Sequence, residues 1–360
     1  MKLKLNSVIQ PIFLSKDGAY LFRNNNDFYE IDFNDIIHFV ISFLNQHSEI
    51  EQKLLQEKLE TLYNIDKENS LQIINDLIDI NIITKVTNND RYSTNRLYFS
   101  LFDNKSKEKY QDILSNSVIC VLGLGGSTMI IQQLAQLGVK KIIGVDYDSL
   151  EAKNLNRQVL TKESDIGSLK VNVLEKNVKE INSRIEYDFK NIYIDSAEKV
   201  SPLILDADIV ILALDEPMID SSMWVHQACK DSKKKLISGG VWGDQLTYMW
   251  FDYGNPYTPC YQCMLEQSLE QSEVILQHTK QIKGKSFSDF NTTISFNGSI
   301  LSGIMVCEIV KILTNYSAEI PPGTIFQLNT TTWATTTDIL EQIPECSFCM
   351  NNEFEYFNHI

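Results

Sequence analysis

The 360-residue sequence lacks a basic surplus, an even disulfide framework, a recognisable signal peptide, internal repeats and any low-complexity tract. Lys and Arg number 32 against 47 Asp and Glu, giving a formal net charge of −15. Such a chain repels a phosphate backbone, and no Lys/Arg-rich run offsets this locally, so nucleic acid is not an expected partner. The start, Met1-Lys2-Leu3-Lys4, is mildly basic, but Ser7, Gln10, Pro11 and Ser15 break the apolar stretch behind it. The most apolar short run, Ile36 to Leu44, falls well short of the roughly 20 residues that cross a bilayer. The expectation is a cytoplasmic chain with no membrane segment. At about 100 to 200 residues per domain the length predicts two domains and a substantial core, which excludes a small stapled scaffold.

What is present begins with the seven cysteines. Four fall in two Cys-x-x-Cys pairs, Cys260 with Cys263 and Cys346 with Cys349; this points to metal rather than oxidation. The pairs can close one tetrahedral tetrathiolate site, with zinc the expected ion. Four thiolates leave no open coordination position, so that zinc would fasten the C-terminal segment to the sheet rather than catalyse. Cys120 in a strand, Cys229 on a helix and Cys307 in the apolar helix around Ile304 to Leu313 are read as small buried side chains. The five histidines, His38, His47, His226, His278 and His359, form no ligand spacing or triad.

The first segment reads as a small α+β unit. Strand-like stretches at Val8 to Leu14, Ala19 to Arg23 and Phe28 to Phe33 are separated by Lys16-Asp17-Gly18 and Asn24-Asn25-Asn26. Helical spacing follows at Ile36 to Leu44, Leu54 to Leu62 and Leu71 to Ile78, then a β-rich tail at Ile82 to Val86. This is the outline of a winged-helix-like module. Eight basic against 14 acidic residues in 1–90 leave a net −6, which disfavours a DNA-binding role for it. Thr87-Asn88-Asn89-Asp90 is the joint, dividing the chain into residues 1–87 and 88–360. Beyond it, strand and helix alternate to about residue 240, the mark of a parallel α/β sheet. Strands are expected at Val118 to Leu122, Lys141 to Val145, Phe189 to Ile194, Ile209 to Leu214 and Lys235 to Ser238, with a helix over Ser127 to Leu137. From Leu246 to Phe251 the pattern turns antiparallel.

Gly123-Leu124-Gly125-Gly126 lies between a buried strand and a helix, where glycines let a phosphate approach backbone N–H groups at the positive end of the helix dipole. A G-x-G-x-x-G fingerprint would need glycine at 128, which is Thr128, and a tight strand-to-helix turn uses the same glycines. Asp146 ends the second strand at the distance where an acid accepts hydrogen bonds from a ribose. That spacing favours a nucleotide.

The stretch from Asp146 and Asp148 through Asn154-Leu155-Asn156-Arg157-Gln158 resembles the D-x-D…N-L-x-R-Q segment of the ubiquitin-activating-enzyme-like superfamily of adenylating enzymes. The resemblance continues in Gly167-Ser168-Leu169-Lys170, in Asp215 after an apolar strand and in both Cys-x-x-Cys pairs, covering about residues 90 to 350. Within the superfamily the chain is most similar to the branch that adenylates short ribosomally made peptides, as in microcin C-type antibiotic biosynthesis, whose members carry a winged-helix-type peptide clamp.

The resemblance implies a Rossmann-like, mostly parallel sheet with an antiparallel extension, an adenylating domain over 88–360 and a peptide-clamp module over 1–87. It implies ATP with Mg2+ as cofactors, CTP remaining open because base recognition depends on pocket shape. Homodimerisation and a short precursor peptide as partner follow from it too. A carboxylate is already ionised at neutral pH, so its attack on an α-phosphorus needs positioning and charge stabilisation rather than a base. Arg157 and Lys170 suit the phosphates, Asp215 suits Mg2+, and Asn154 and Gln158 suit neutral hydrogen bonds to phosphate or ribose. Members usually carry a second arginine in R-Y-x-R-Q that reaches the neighbouring subunit's nucleotide. Here that position is Thr94, and Arg96 is taken in its place, with Arg91 as the alternative. No cysteine lies between Cys263 and Cys307, where thioester-forming relatives carry their nucleophile, so the reaction is expected to stop at adenylation.

Two other readings remain open. Activation of a sulfur-carrier protein ending in Gly-Gly would not need the N-terminal module. A non-catalytic recognition scaffold for a heterocycle-forming partner would be expected to lose Asp146, Arg157, Lys170 and Asp215. A nicotinamide dehydrogenase would explain the glycine loop but neither the Asn154-to-Gln158 segment nor the cysteine pairs. The acidity of the first 90 residues predicts a peptide that is neutral or basic overall.

Overall fold

In the computed structural model the described residues are 1–9, 12–15, 18–24, 27–86, 90–217, 219–269, 281, 284–285 and 292–351. Lys16, Asp17, Asn25, Asn26, Thr87, Asn88, Asn89, His278 and His359 lie outside them. The chain forms two compact units, Met1–Asp112 and Ile113–Ile360. Residues 88–112, grouped by sequence with the second domain, cluster with the first unit.

In the first unit, β1 (Lys2–Leu5) lies between β5 (Ile50–Glu51) and β6 (Ile83–Lys85), antiparallel to both, while β2 (Phe13–Leu14), β3 (Ala19–Asn24) and β4 (Asp27–Asp32) form a separate meander. The strand expected from Val8 is thus confined to Phe13–Leu14, Val8 itself standing in a 3-10 turn over Ser7–Ile9. Helices α1 (Asp35–Gln46), α2 (Gln52–Tyr63) and α3 (Lys67–Asp79) match the three apolar periodicities. Asn34 caps α1 by accepting from the Ile36 N–H at 2.8 Å, and Asp66 caps α3 by accepting from Glu68 and Asn69 at 2.9 and 2.8 Å. Their apolar faces close one core with β1 and β6 through Leu3, Val40, Leu55, Ile74 and Ile83. Helices α4 (Ser93–Phe99) and α5 (Lys107–Leu114) follow.

The second unit is an α/β fold built on an eight-stranded sheet. Its strands are β7 (Val118–Leu122), β8 (Lys141–Asp146), β9 (Glu186–Asn191), β10 (Ile209–Leu212), β11 (Lys235–Trp242), β12 (Gln245–Asp252), β13 (Thr324–Asn329) and β14 (Thr335–Ile339). They lie in the order β14-β13-β12-β11-β10-β7-β8-β9. The run from β11 to β9 is parallel and β12 to β14 are antiparallel, as the change of pattern at Leu246 predicts. All five residues of β7 are buried, which is why it reads as a continuous apolar run. Helices α8 (Ala197–Ile204) and α9 (Asp220–Asp231), the latter through Val225 and Cys229, pack on one face over Cys120, Leu122 and Val210. Helices α6 (Thr128–Leu137), α7 (Lys170–Ile181), α10 (Tyr261–Leu269), α11 (Ser295–Thr314) and α12 (Ser347–Asn351) complete the unit.

Three expectations need correction. The strand placed at Phe189 to Ile194 begins and ends three residues earlier. At this sheet edge polar residues carry the pairing, with Lys141 bridging to Glu186 at 2.7 Å, whereas Ile194 packs into the core beyond the strand's end. No membrane segment is expected, yet α11, around the apolar stretch Ile304 to Leu313, has the length and hydropathy of a membrane span. It nonetheless buries Glu308, whose carboxylate accepts the Ile320 N–H at 2.7 Å and Lys311 at 2.7 Å, and it packs on β11, β12 and α6. Cys307, expected to be buried on that helix, is exposed, because α11 turns Met305, Val306 and Ile309 inward and position 307 outward.

Candidate nucleotide site and cysteine cluster

The sheet order reverses between β7 and β10: β8 and β9 extend to one side of β7, β10 and β11 to the other. Loops leaving the C-terminal ends of two such strands diverge and leave a crevice. Gly123 enters it at φ +95°, and a Cβ there would stand 2.3 Å from the Ala213 carbonyl oxygen, so only glycine fits. Its N–H donates to Val145 O at 2.8 Å. Gly126, by contrast, is exposed, with nothing within 4 Å of an added Cβ. The loop therefore uses its first glycine to pass β10 and leaves its last open to solvent.

Asp146, at the end of β8, is buried and shapes this loop. One carboxylate oxygen accepts the Leu124 N–H at 2.7 Å and the other the Asp148 N–H at 2.8 Å. Burial pushes its carboxyl pKa up, against the pull of Lys170 and these N–H donors. Lys170, itself buried, donates from Nζ to Asp148 Oδ2 at 2.7 Å while its backbone N–H donates to Asp148 O at 2.9 Å. Asp215, just past β10, is exposed yet crowded. Desolvation raises its pKa, Glu216 and Asp148 add to the rise, and Lys170 opposes it. Arg157 is half-buried; desolvation lowers its pKa and Asp215 opposes. Asp148, Lys170, Arg157 and Asp215 thus form one electrostatic cluster at the switch of the sheet.

Asn154 is buried and accepts the Glu151 N–H at 2.9 Å, while its carbonyl accepts from Arg157 and Gln158. The Arg157 guanidinium donates to Lys153 O at 3.1 Å and Asn156 Oδ1 at 2.9 Å. Gln158 is 5% exposed, and both polar atoms of its amide are buried without a partner, its Nε2 lying 3.6 Å from a Cβ built on Gly125. A buried amide with no partner among the described residues marks where a ligand atom belongs. Arg96 stands in the other unit, held by Asp90 at 2.6 Å and by Glu108.

Two features escaped sequence reasoning. Thr128, read only as a missing glycine, is fully buried and its hydroxyl accepts the Val159 N–H at 3.1 Å. It ties the start of α6 to the Arg157-Gln158 segment. Tyr147 and Tyr193 follow β8 and β9 and meet edge to face at 4.6 Å, both substantially exposed beside Asp146 and Asp148. The signal for the pair was a tyrosine within two residues of the end of each of two neighbouring strands.

The four paired cysteines converge. Sγ atoms of Cys260 and Cys263, Cys260 and Cys346, and Cys263 and Cys349 are each 3.6 Å apart, and all four lie within 4.8 Å of one another. A tetrahedron of thiolates about 2.3 Å from one ion has edges of about 3.8 Å, so the cluster fits zinc and none of these pairs is a disulfide. The Ile343 N–H donates to Cys263 Sγ at 3.5 Å, and Phe348, capped by Lys230 at 4.6 Å, packs against the sulfurs. His226 lies buried nearby, stacked on Tyr261 at 4.1 Å and bonded to the Tyr253 hydroxyl at 2.6 Å; burial drives its pKa to about 3. It is a neutral core residue.

A glycine loop at the switch of a parallel sheet, an acid ending the next strand and a charged cluster define an α/β fold with a crevice that could hold a nucleotide, and the separate four-cysteine cluster could hold a metal ion. The match of the ThiF family model to residues 92–347 shows that the chain belongs to that family. Adenylyltransferase and sulfurtransferase MOCS3 of Dictyostelium discoideum is 28% identical over 213 residues, 58% of this chain and 46% of that protein. Molybdopterin-synthase adenylyltransferase of Escherichia coli is 29% identical over 157 residues, 43% of this chain and 61% of that protein. The chain thus spans about half the length of the curated relatives it matches. Among solved structures, E. coli MccB superposes with a TM-score of 0.73 at 22% identity over 99% of both chains. The microcin C7 biosynthetic enzyme MccB in complex with N-formylated MccA gives 0.73 at 22% over 97% of this chain and 100% of that one.

Proposed function

We propose that the chain is an adenylyltransferase that activates the C-terminal carboxylate of a short ribosomally made peptide with ATP and Mg2+, in microcin C-type antibiotic biosynthesis. The observation that carries the nucleotide assignment is the orphaned Gln158 amide beside Gly125, next to the Lys170–Asp148 pair. Phosphate oxygens at Gly125 and Gly126 would meet loop N–H groups at the start of α6. Lys170 turns from Asp148 to the phosphates, Arg157 adds a second positive charge, and Gln158 gains its missing partner. Asp215 and Asp148 are a carboxylate set suited to Mg2+, and a cation relieves the charge crowding that raises the Asp215 pKa. Mg2+, when bound, neutralises phosphate charge. The peptide carboxylate oxygen forms a bond to the α-phosphorus, the bond from that phosphorus to the bridging oxygen breaks, and pyrophosphate leaves with the electron pair. No proton moves, so no general base is required.

Residues 1–87 act as a winged-helix-like peptide clamp. Supporting this are the order α1, β5, α2, α3, β6 and the position of β1 between β5 and β6. The likeness to MccB, solved with ATP and with MccA, spans this unit, whereas the MOCS3 and molybdopterin-synthase adenylyltransferase relatives named above align to 58% and 43% of the chain. Homodimerisation accompanies this reading, with Arg96 the candidate for the cross-subunit contact. Zinc at Cys260, Cys263, Cys346 and Cys349 anchors α12 to α10.

A second reading, adenylation of a sulfur-carrier protein ending in Gly-Gly, is favoured by the molybdopterin-synthase adenylyltransferase relative. Pyrophosphate exchange into ATP by the whole chain separates the two. Exchange that requires a short peptide with a free C-terminus, and not a folded Gly-Gly carrier, is expected; exchange driven by the carrier alone would replace the first reading with the second.

A further inference from the structure

The N-terminal unit holds a cavity of about 750 Å3 that the nucleotide chemistry does not use, lined in part by Lys85, Asp90, Arg96, Asn104, Lys107 and Glu108. This is the size of a small-ligand or side-chain pocket, not of a packing defect. Lys107, at the start of α5, is 7% exposed. Its Nζ donates to Thr84 Oγ1 and, at 3.0 Å, to Asn104 Oδ1. An ammonium has three N–H donors, so one remains.

The surroundings hold that ammonium in place. Thr84 donates its own proton to Asn104 Oδ1 at 3.0 Å, and Asn104 Nδ2 is fixed between the carbonyls of Ile78 and Ile83 at 3.3 Å each. Both partners of Lys107 are neutral oxygens, and among the described residues it forms no ion pair. Burial, opposed by Glu108 and aided by Lys4 and Lys85, lowers its pKa to about 8. The other acids at the cavity are engaged elsewhere: Asp79 with Lys105 at 2.6 Å, Asp90 with Arg96 at 2.6 Å. Glu108 also meets Arg96 but leaves Oε1 buried without a partner. The cavity therefore presents a buried positive donor lacking an anion and a buried carboxylate oxygen lacking a donor. Leaving either unmatched is costly, and a ligand that supplies both relieves both.

We propose that this cavity is a carboxylate subsite for an acidic side chain of a short peptide, the Lys107 ammonium holding the carboxylate and Glu108 Oε1 accepting a peptide N–H. The assignment rests on the reading that the N-terminal unit receives a peptide. It also refines the expected charge of that peptide: neutral or basic overall, to suit an acidic unit, with one acid at a locally positive point.

The test is competitive labelling of the intact protein with an amine-reactive reagent, reading Lys107 by mass spectrometry against Lys53, whose side chain is 85% exposed. Four probes are compared at matched ionic strength: N-acetyl-Ala-Glu-Ala-amide, N-acetyl-Ala-Gln-Ala-amide, succinate and inorganic phosphate. With a Kd of about 1 mM, the Glu peptide at about 3 mM slows Lys107 labelling about fourfold and leaves Lys53 unchanged. The Gln peptide and phosphate leave Lys107 labelling unchanged. Equal protection by the Glu and Gln peptides, or none by either, overturns the proposal. Protection by succinate without the Glu peptide overturns it in favour of a free small acid. No nucleotide enters the assay, so failure here leaves the adenylation reading to its own exchange test.

Discussion

The two units use their buried polar groups in opposite ways. In residues 113–360 the polar groups of the site, buried Asp146 with Asp148 and Asp215, stand at the ends of β8 and β10, the two parallel strands that flank β7, so the fold gathers them from short local motifs. In residues 1–112 the polar centre is assembled from Thr84, Asn104 and Lys107, on a strand, a loop and a helix, with no spacing that announces it. Strand-end chemistry is therefore visible in a sequence, while chemistry built across elements is not.

The comparison breaks hardest at the cysteine cluster. Chelation of zinc from Cys260, Cys263, Cys346 and Cys349 should destabilise the second unit by several kcal/mol, seen as a large fall in its thermal midpoint, because metal-binding energy is folding energy at such sites. Retention of that midpoint after verified metal removal would contradict the structural role. Next in size is Gly123→Ala, whose Cβ would meet Ala213 O at 2.3 Å at φ +95° and should cost about 3 kcal/mol or more in denaturant unfolding. Gly126→Ala, with nothing within 4 Å, should stay within about 0.5 kcal/mol. Arg157→Ala is expected to lower adenylation about 100-fold in steady-state kinetics while leaving stability nearly unchanged.

Smaller effects sharpen the same contrast. Thr128→Val removes the acceptor of the Val159 N–H and should cost about 1 to 2 kcal/mol, with Thr128→Ser recovering most of it. In the first unit, Lys107 ionises near 8 when folded and near 10.5 when unfolded. Between those values the unfolded chain binds more protons, so stability rises with pH across that window, and the penalty of the buried charge is fully present below it. Comparing wild type with Lys107→Met should show a rise on the order of 1 kcal/mol in the former alone. A wild-type curve parallel to the variant's would remove Lys107 as its source.

Particular residues show how much was legible. The five-residue apolar strand before Gly123 and the paired cysteines were plain because few backbones and few metals accept those patterns. The first strand, Lys2–Leu5, was missed because four alternating residues read as a basic terminus until β5 and β6 flank them. The strand starting at Lys235 runs on to Trp242 because it pairs along its whole length with β12, a partner that local pattern does not supply. At the site, the residue types were evident in sequence, but the Lys170–Asp148 pair and the orphaned Gln158 amide were not, since both depend on which loops meet.

The most direct test of the nucleotide assignment is Gln158→Leu, followed by thermal unfolding with and without ATP and Mg2+. Because the Gln158 amide is buried without a partner among the described residues, the substitution should leave the ligand-free midpoint unchanged or raise it, and should abolish most of the shift that ATP produces. A lowered ligand-free midpoint together with an undiminished ATP shift would contradict the account.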